Sequence, residues 1–163
     1  MRTLPILLAL VAAVACDQGS PASTTPAAPP NPPADAAPAA PAGQPERIAV
    51  THVLISFKGA IRDPQVTRSK EEAEALAKEL YERIKGGEDF EPIRTRFSDD
   101  RGGSAEYGMA NHGVAPQGQE RPRRGMVAAF GDVGFTLKVG EVGMAPYDPQ
   151  KSPYGWHIIK RTK

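Results

Sequence analysis

Two histidines interrupt apolar, β-branched stretches near opposite ends of the folded part of the sequence. His52 lies in IAVTHVLISF (residues 48–57) and His157 in YGWHIIK (residues 154–160). Alternation puts Val50, His52, Leu54 and Ser56 on one face of the first stretch. It puts Gly155, His157 and Ile159 on one face of the second. One imidazole on an apolar face is usually a core histidine satisfied by a backbone group or a hydroxyl. Two of them beside a carboxylate form a set of titratable groups whose tautomers neighbours can fix. The run Ser98-Asp99-Asp100 lies between them along the chain. Zinc is one alternative for these groups, but close ligand spacings such as H-x-x-x-H are absent. A serine hydrolase is another, but there is no G-x-S-x-G elbow. The single cysteine, Cys16, lies outside the folded part, so thiol catalysis there is excluded.

These residues need a sheet that brings strands more than 100 residues apart together. Between them, Ser69 and Glu72 spell a capping box. Ala73, Leu76, Ala77, Leu80 and Ile84 follow as one apolar helical stripe, with Glu74–Lys78 and Glu79–Arg83 on the wet side. Gly86-Gly87 ends that helix. Asp89 is positioned to cap a shorter helix carrying Phe90, Ile93 and Phe97. Residues 105–110 suit a short strand, 111–125 a polar loop, and 126–137 two helical turns. Val142–Ala145 and Tyr154–Arg161 suit the last two strands. The expected fold is α+β, in the order β-α-α-α-β-α-β-β: a small, mostly antiparallel four-stranded sheet surrounded by about four helices.

The chain of 163 residues is not uniform. Residues 1–16, MRTLPILLALVAAVAC, combine an early arginine with an apolar run too short to span a bilayer. The run closes on Ala-Val-Ala-Cys, which resembles a bacterial lipobox, and Cys16 is then the lipidation site. Residues 17–46 hold nine prolines and nine alanines and cannot bury a core, so they read as an extended tether. The folded domain is expected at 47–163, with 19 Lys/Arg against 16 Asp/Glu. The net charge of the whole chain, +1, gives no electrostatic case for nucleic acid.

Taken in order, the strand with His52, the capped helix, D-F-x-x-I, S-D-D, M-x-x-x-F, K-x-G-E-V and G-W-H-I-I-K resemble the parvulin family of peptidyl-prolyl cis/trans isomerases. The resemblance covers about residues 48–163. It implies that His52 and His157 are the family's paired histidines and that Asp100 holds the position of its cysteine or aspartate. Met126 and Phe130 would floor a proline pocket, Met109 would be its third apolar residue, and Ser152 would supply a hydroxyl before the last strand. The sequence departs from the family where a G-D-L-G motif is replaced by Tyr107-Gly108-Met109-Ala110. Lys58, Arg62, Arg68, Arg121, Arg123 and Arg124 would flank the pocket or form a solvated rim. The implied activity is isomerisation of X-Pro bonds in unfolded or extended polypeptides, by a monomer with no cofactor. With the lipid anchor, the protein would sit in a bacterial cell envelope, facing the periplasm or the exterior. A non-catalytic chaperone or peptide-binding module is the alternative.

Overall fold

The structure, a computed structural model, describes residues 39–163. The signal segment, Cys16 and most of the 17–46 tether lie outside the described residues. Nine elements follow one another: β1 (Arg47–Ile55), α1 (Lys70–Lys85), α2 (Phe90–Phe97), β2 (Tyr107–Ala110), β3 (Arg121–Pro122), a 3₁₀ turn (Arg123–Gly125), α3 (Ala128–Gly134), β4 (Val142–Ala145) and β5 (Trp156–Arg161). The α+β class and the mostly antiparallel sheet are as expected. Two details differ. The sheet has five strands, in the order β3-β2-β1-β5-β4, because Arg121–Pro122 adds a parallel edge to β2. That edge stays short, since Pro122 has no N–H to give a ladder. The described residues hold three α-helices, and the segment between α2 and β2 is a turn-rich connection instead of a helix.

β1 and β5 are central neighbours, and each sheet face buries one core. On one face Val53 and Ile55 of β1 and Trp156 and Ile158 of β5 pack beneath α1 and α2, against Ala73, Ala77, Leu80, Phe90 and Ile93. On the other, Ile48, Val50 and Ile159 pack with Met109, Phe130 and Phe135. The capping box forms as its residues dictate: Ser69 Oγ accepts from the Glu72 N–H at 3.1 Å, and Glu72 Oε2 accepts from the Ser69 N–H at 2.7 Å. Asp89 occupies the N-cap position of α2, but its side chain makes no capping bond.

The entry to β5 runs so close to the end of β1 that only glycine fits. Gly155 has φ +136, and a Cβ there would overlap the Ile55 carbonyl. Ser152 is fully buried and its Oγ donates to the Gly155 carbonyl at 2.8 Å, fixing the turn that delivers the chain into β5.

Candidate active site

The two interior histidines meet. In the antiparallel β1–β5 ladder His52 pairs with Ile159 and Leu54 with His157, so both imidazoles rise from one face at diagonal positions. Their ring centroids are 5.4 Å apart and the planes are inclined by 47°. Both are buried, at 7% and 5% exposure. No hydrogen bond joins them. Among the described residues, neither nitrogen of His157 nor Nδ1 of His52 has a protein hydrogen-bond partner. The rings touch by packing, because tilted rings on diagonal positions do not aim nitrogen at nitrogen.

Asp100 reaches the pair because its neighbours tie the end of α2 to β1. Ser98 Oγ accepts from the Leu54 N–H at 3.1 Å, and the Asp99 N–H donates to the Leu54 carbonyl at 2.8 Å. Asp99 Oδ2 accepts from the Ser56 N–H at 2.7 Å and forms an ion pair with Arg68. Asp99 is thus spent on anchoring the segment. Asp100, the next residue, puts Oδ2 3.3 Å from His52 Nε2. The same oxygen accepts a hydrogen bond from Tyr107 Oη at 2.9 Å.

Electrostatics separates the members. The His52 imidazole, followed by the Tyr107 hydroxyl, holds the Asp100 carboxyl below the usual aspartate value. Burial, then the Asp100 charge, pushes the Tyr107 phenol up. Burial pushes His157 down to about 3, and the His52 charge adds to the effect. At neutral pH the site therefore holds an ionised Asp100 and a neutral His157.

These groups open into a cleft of about 520 Å³ with Met126 and Phe130 in its wall. Phe130 stands edge-on to both imidazoles, with centroids 5.0 Å from His52 and 5.5 Å from His157. Met109 does not line the cleft. It is fully buried, and its Cε lies 3.3 Å from where a Cβ on Gly134 of α3 would sit. Ser152 is committed to its turn and is also outside the cleft wall. Thr51 faces the α1/α2 side by strand alternation, so its hydroxyl cannot join the histidines.

Tyr107 takes the place expected for Met109. Both lie on one face of β2, but antiparallel register pairs Met109 with Ile48 and Tyr107 with Val50. Tyr107 therefore sits at the His52 end, and only the register, not the motif, reveals it. Arg62, Arg101 and Arg121 do line the cleft. Arg123 does not: it is buried, and donates to Gln44 Oε1 at 2.7 Å, Asn111 Oδ1 at 2.9 Å and Asp132 Oδ1 at 2.7 Å. Among the described residues, no three His, Cys, Asp or Glu side chains are grouped as a metal site needs.

Residues 40–163 match the family model described as a PPIC-type PPIASE domain. Over 115 residues, 71% of the chain, the sequence is 32% identical to the protein named chaperone SurA of Pseudomonas fluorescens, of which that stretch covers 22%. Over 89 residues, 55% of the chain, it is 39% identical to foldase protein PrsA 3 of Bacillus cereus, covering 27% of it. The chain thus spans about a quarter of the length of these curated relatives. The solution structure of TbPIN1 shares the fold, with TM-score 0.53 and 23% identity over 72% of this chain and 98% of that one. A PPIC-type domain over three-quarters of the chain, on this fold and with this histidine pair, places the protein in the parvulin-type rotamase family.

Proposed function

We propose that the protein is a peptidyl-prolyl cis/trans isomerase that assists folding of extracytoplasmic polypeptides, acting as a monomer without a cofactor. The observation that carries this reading is the convergence of His52, His157 and Asp100 over Phe130 in one cleft. An X-Pro amide isomerises slowly because its C–N bond has partial double-bond character, a barrier of about 18–20 kcal/mol. A catalyst must favour the twisted amide over both planar forms. Phe130 and Met126 offer the pyrrolidine ring an apolar seat, and a methionine adapts to its shape. The ionised Asp100 disfavours charge on the substrate carbonyl oxygen, and so disfavours the conjugated planar amide. His157, kept neutral, packs beneath the ring without a charge that would need solvating. No covalent bond is made or broken.

A non-catalytic peptide-holding module is the second reading. Its support is the replacement of the family's G-D-L-G segment by Tyr107-Gly108-Met109-Ala110. The relatives' names, chaperone and foldase, are compatible with either. A protease-coupled assay with X-Pro tetrapeptides separates the two. Isomerisation should be accelerated by the purified chain and not by Asp100→Ala. A folded protein that binds proline peptides without accelerating them establishes the holding module instead.

The lipobox-like residues ending at Cys16 support placement in a bacterial cell envelope, with the membrane as a partner through a lipid on that thiol. The clients in this reading are unfolded or extended proline-containing chains. Nucleic acid is not among the partners.

A further inference from the structure

We propose that Tyr107 is a positioning residue of this cleft: its hydroxyl holds the Asp100 carboxylate against His52. The proposal rests on the isomerase reading above and adds a residue to its machinery. Three observations carry it. First, Tyr107 Oη sits in a directed chain, accepting from the Ser104 N–H at 3.1 Å and donating to Asp100 Oδ2 at 2.9 Å. A backbone donor behind the oxygen leaves the phenolic proton for the carboxylate, and each bond polarises the next. Second, the turn over this pair has no room for a side chain. A Cβ on Gly103 would overlap both Asp100 Oδ2 and Tyr107 Oη. Third, the ring itself is wedged into the site, 5.4 Å from the His52 centroid and 6.1 Å from that of Phe130, with the Arg121 guanidinium 5.6 Å above it.

The need for such a hold follows from exposure. The Asp100 side chain keeps 29% of its surface in solvent, so without a partner it can rotate toward water or a cleft arginine. With Tyr107 on one side and His52 on the other, Oδ2 has both neighbours it can accommodate. His52 on β1, His157 on β5 and Tyr107 on β2 face the carboxylate, while Arg62, Asp63 and Arg101 line the same cleft.

Tyr107→Phe keeps the ring and removes the hydroxyl. In the full chain its kcat should fall about tenfold, the scale of a hydrogen bond to a charged group, with KM nearly unchanged because the apolar wall survives. Gly103→Ala should move kcat in the same direction with Tyr107 intact, since the new methyl must part the pair. The titration of Asp100, followed by carboxyl ¹³C NMR, reads the bond whether or not the protein is catalytic. Its midpoint should rise in both variants, because a bond to the ionised form is lost. Unchanged kcat and an unchanged midpoint in a folded Tyr107→Phe protein overturn the proposal. A loss confined to KM overturns it as well, because the ring alone would then account for the effect. A wild type that does not isomerise removes the isomerase reading, while the NMR midpoint still decides whether Tyr107 holds Asp100.

Discussion

His52 and His157 face each other from adjacent antiparallel strands at 5.4 Å between ring centroids, and Phe130 presents its edge to both. The contact is one of packing and field. His157 has no protein hydrogen-bond partner on either nitrogen among the described residues. His157 therefore owes its orientation to the His52 ring and to Phe130, while His52 is also held at Nε2 by Asp100, so that the three rings move as one unit.

That unit predicts coupled losses. His52→Ala and His157→Ala should each lower kcat/KM about tenfold, or about 1.4 kcal/mol of transition-state stabilisation. The double variant should lose less than the product, because either truncation already frees the remaining ring. Circular dichroism at the assay temperature checks that each protein is folded. Strictly multiplicative losses would show two independent residues.

Stability should decline as the medium is acidified through the histidine range. Folding holds His157 at about 3, against an ordinary 6.5. Between those values the unfolded chain binds a proton that the folded chain refuses. The stability is therefore full above the ordinary value and is lost as pH falls, by up to about 1.4 kcal/mol per pH unit. Asp100 acts in the same direction, but only near and below the ordinary aspartate range, because its folded value is depressed. Urea midpoints of wild type and His157→Gln, taken on both sides of the ordinary histidine pKa, measure this. The variant should show a flatter slope.

The end of the Pro/Ala-rich segment should matter to folding although most of it should not. The Asn111 N–H donates to the Glu46 carbonyl at 2.8 Å, its side-chain amide donates to the Pro45 carbonyl at 2.9 Å, and buried Arg123 donates to Gln44. The folded unit thus begins before residue 47. A chain starting at residue 40 should melt with the wild type, and one starting at residue 47 should melt lower. Arg123→Met should cost about 2–3 kcal/mol, since it removes a buried guanidinium's bonds to Gln44, Asn111 and Asp132. Arg123→Lys should not restore the loss, because one ammonium cannot span three partners held by a planar fork. Thermal melts of the four proteins decide.

Cys16→Ser should release the protein from membranes or leave its signal segment uncut. Intact mass spectrometry of membrane-extracted wild type is the check. Absence of an acyl mass on the mature cysteine would end the anchor proposal.

Local patterns in the sequence settle what depends on neighbours along the chain. The alternation around His52 and His157 puts both on one sheet face and Val53, Ile55, Trp156 and Ile158 on the other. The Ser69–Glu72 box and the stripe from Ala73 to Ile84 define α1 without reference to anything distant. Tertiary structure decided which of several chemically equivalent residues reached the site. Antiparallel register brought Tyr107 to the cleft and left Met109 in the core. Hydrogen bonds to Leu54 and Ser56 made Asp99 an anchor and freed Asp100 for His52. Packing turned Arg123 inward, while Arg121, two residues earlier, stayed at the cleft. Each of those choices depends on pairing between segments tens of residues apart. A side chain's type and local period do not encode which distant strand will lie beside it, or in what register.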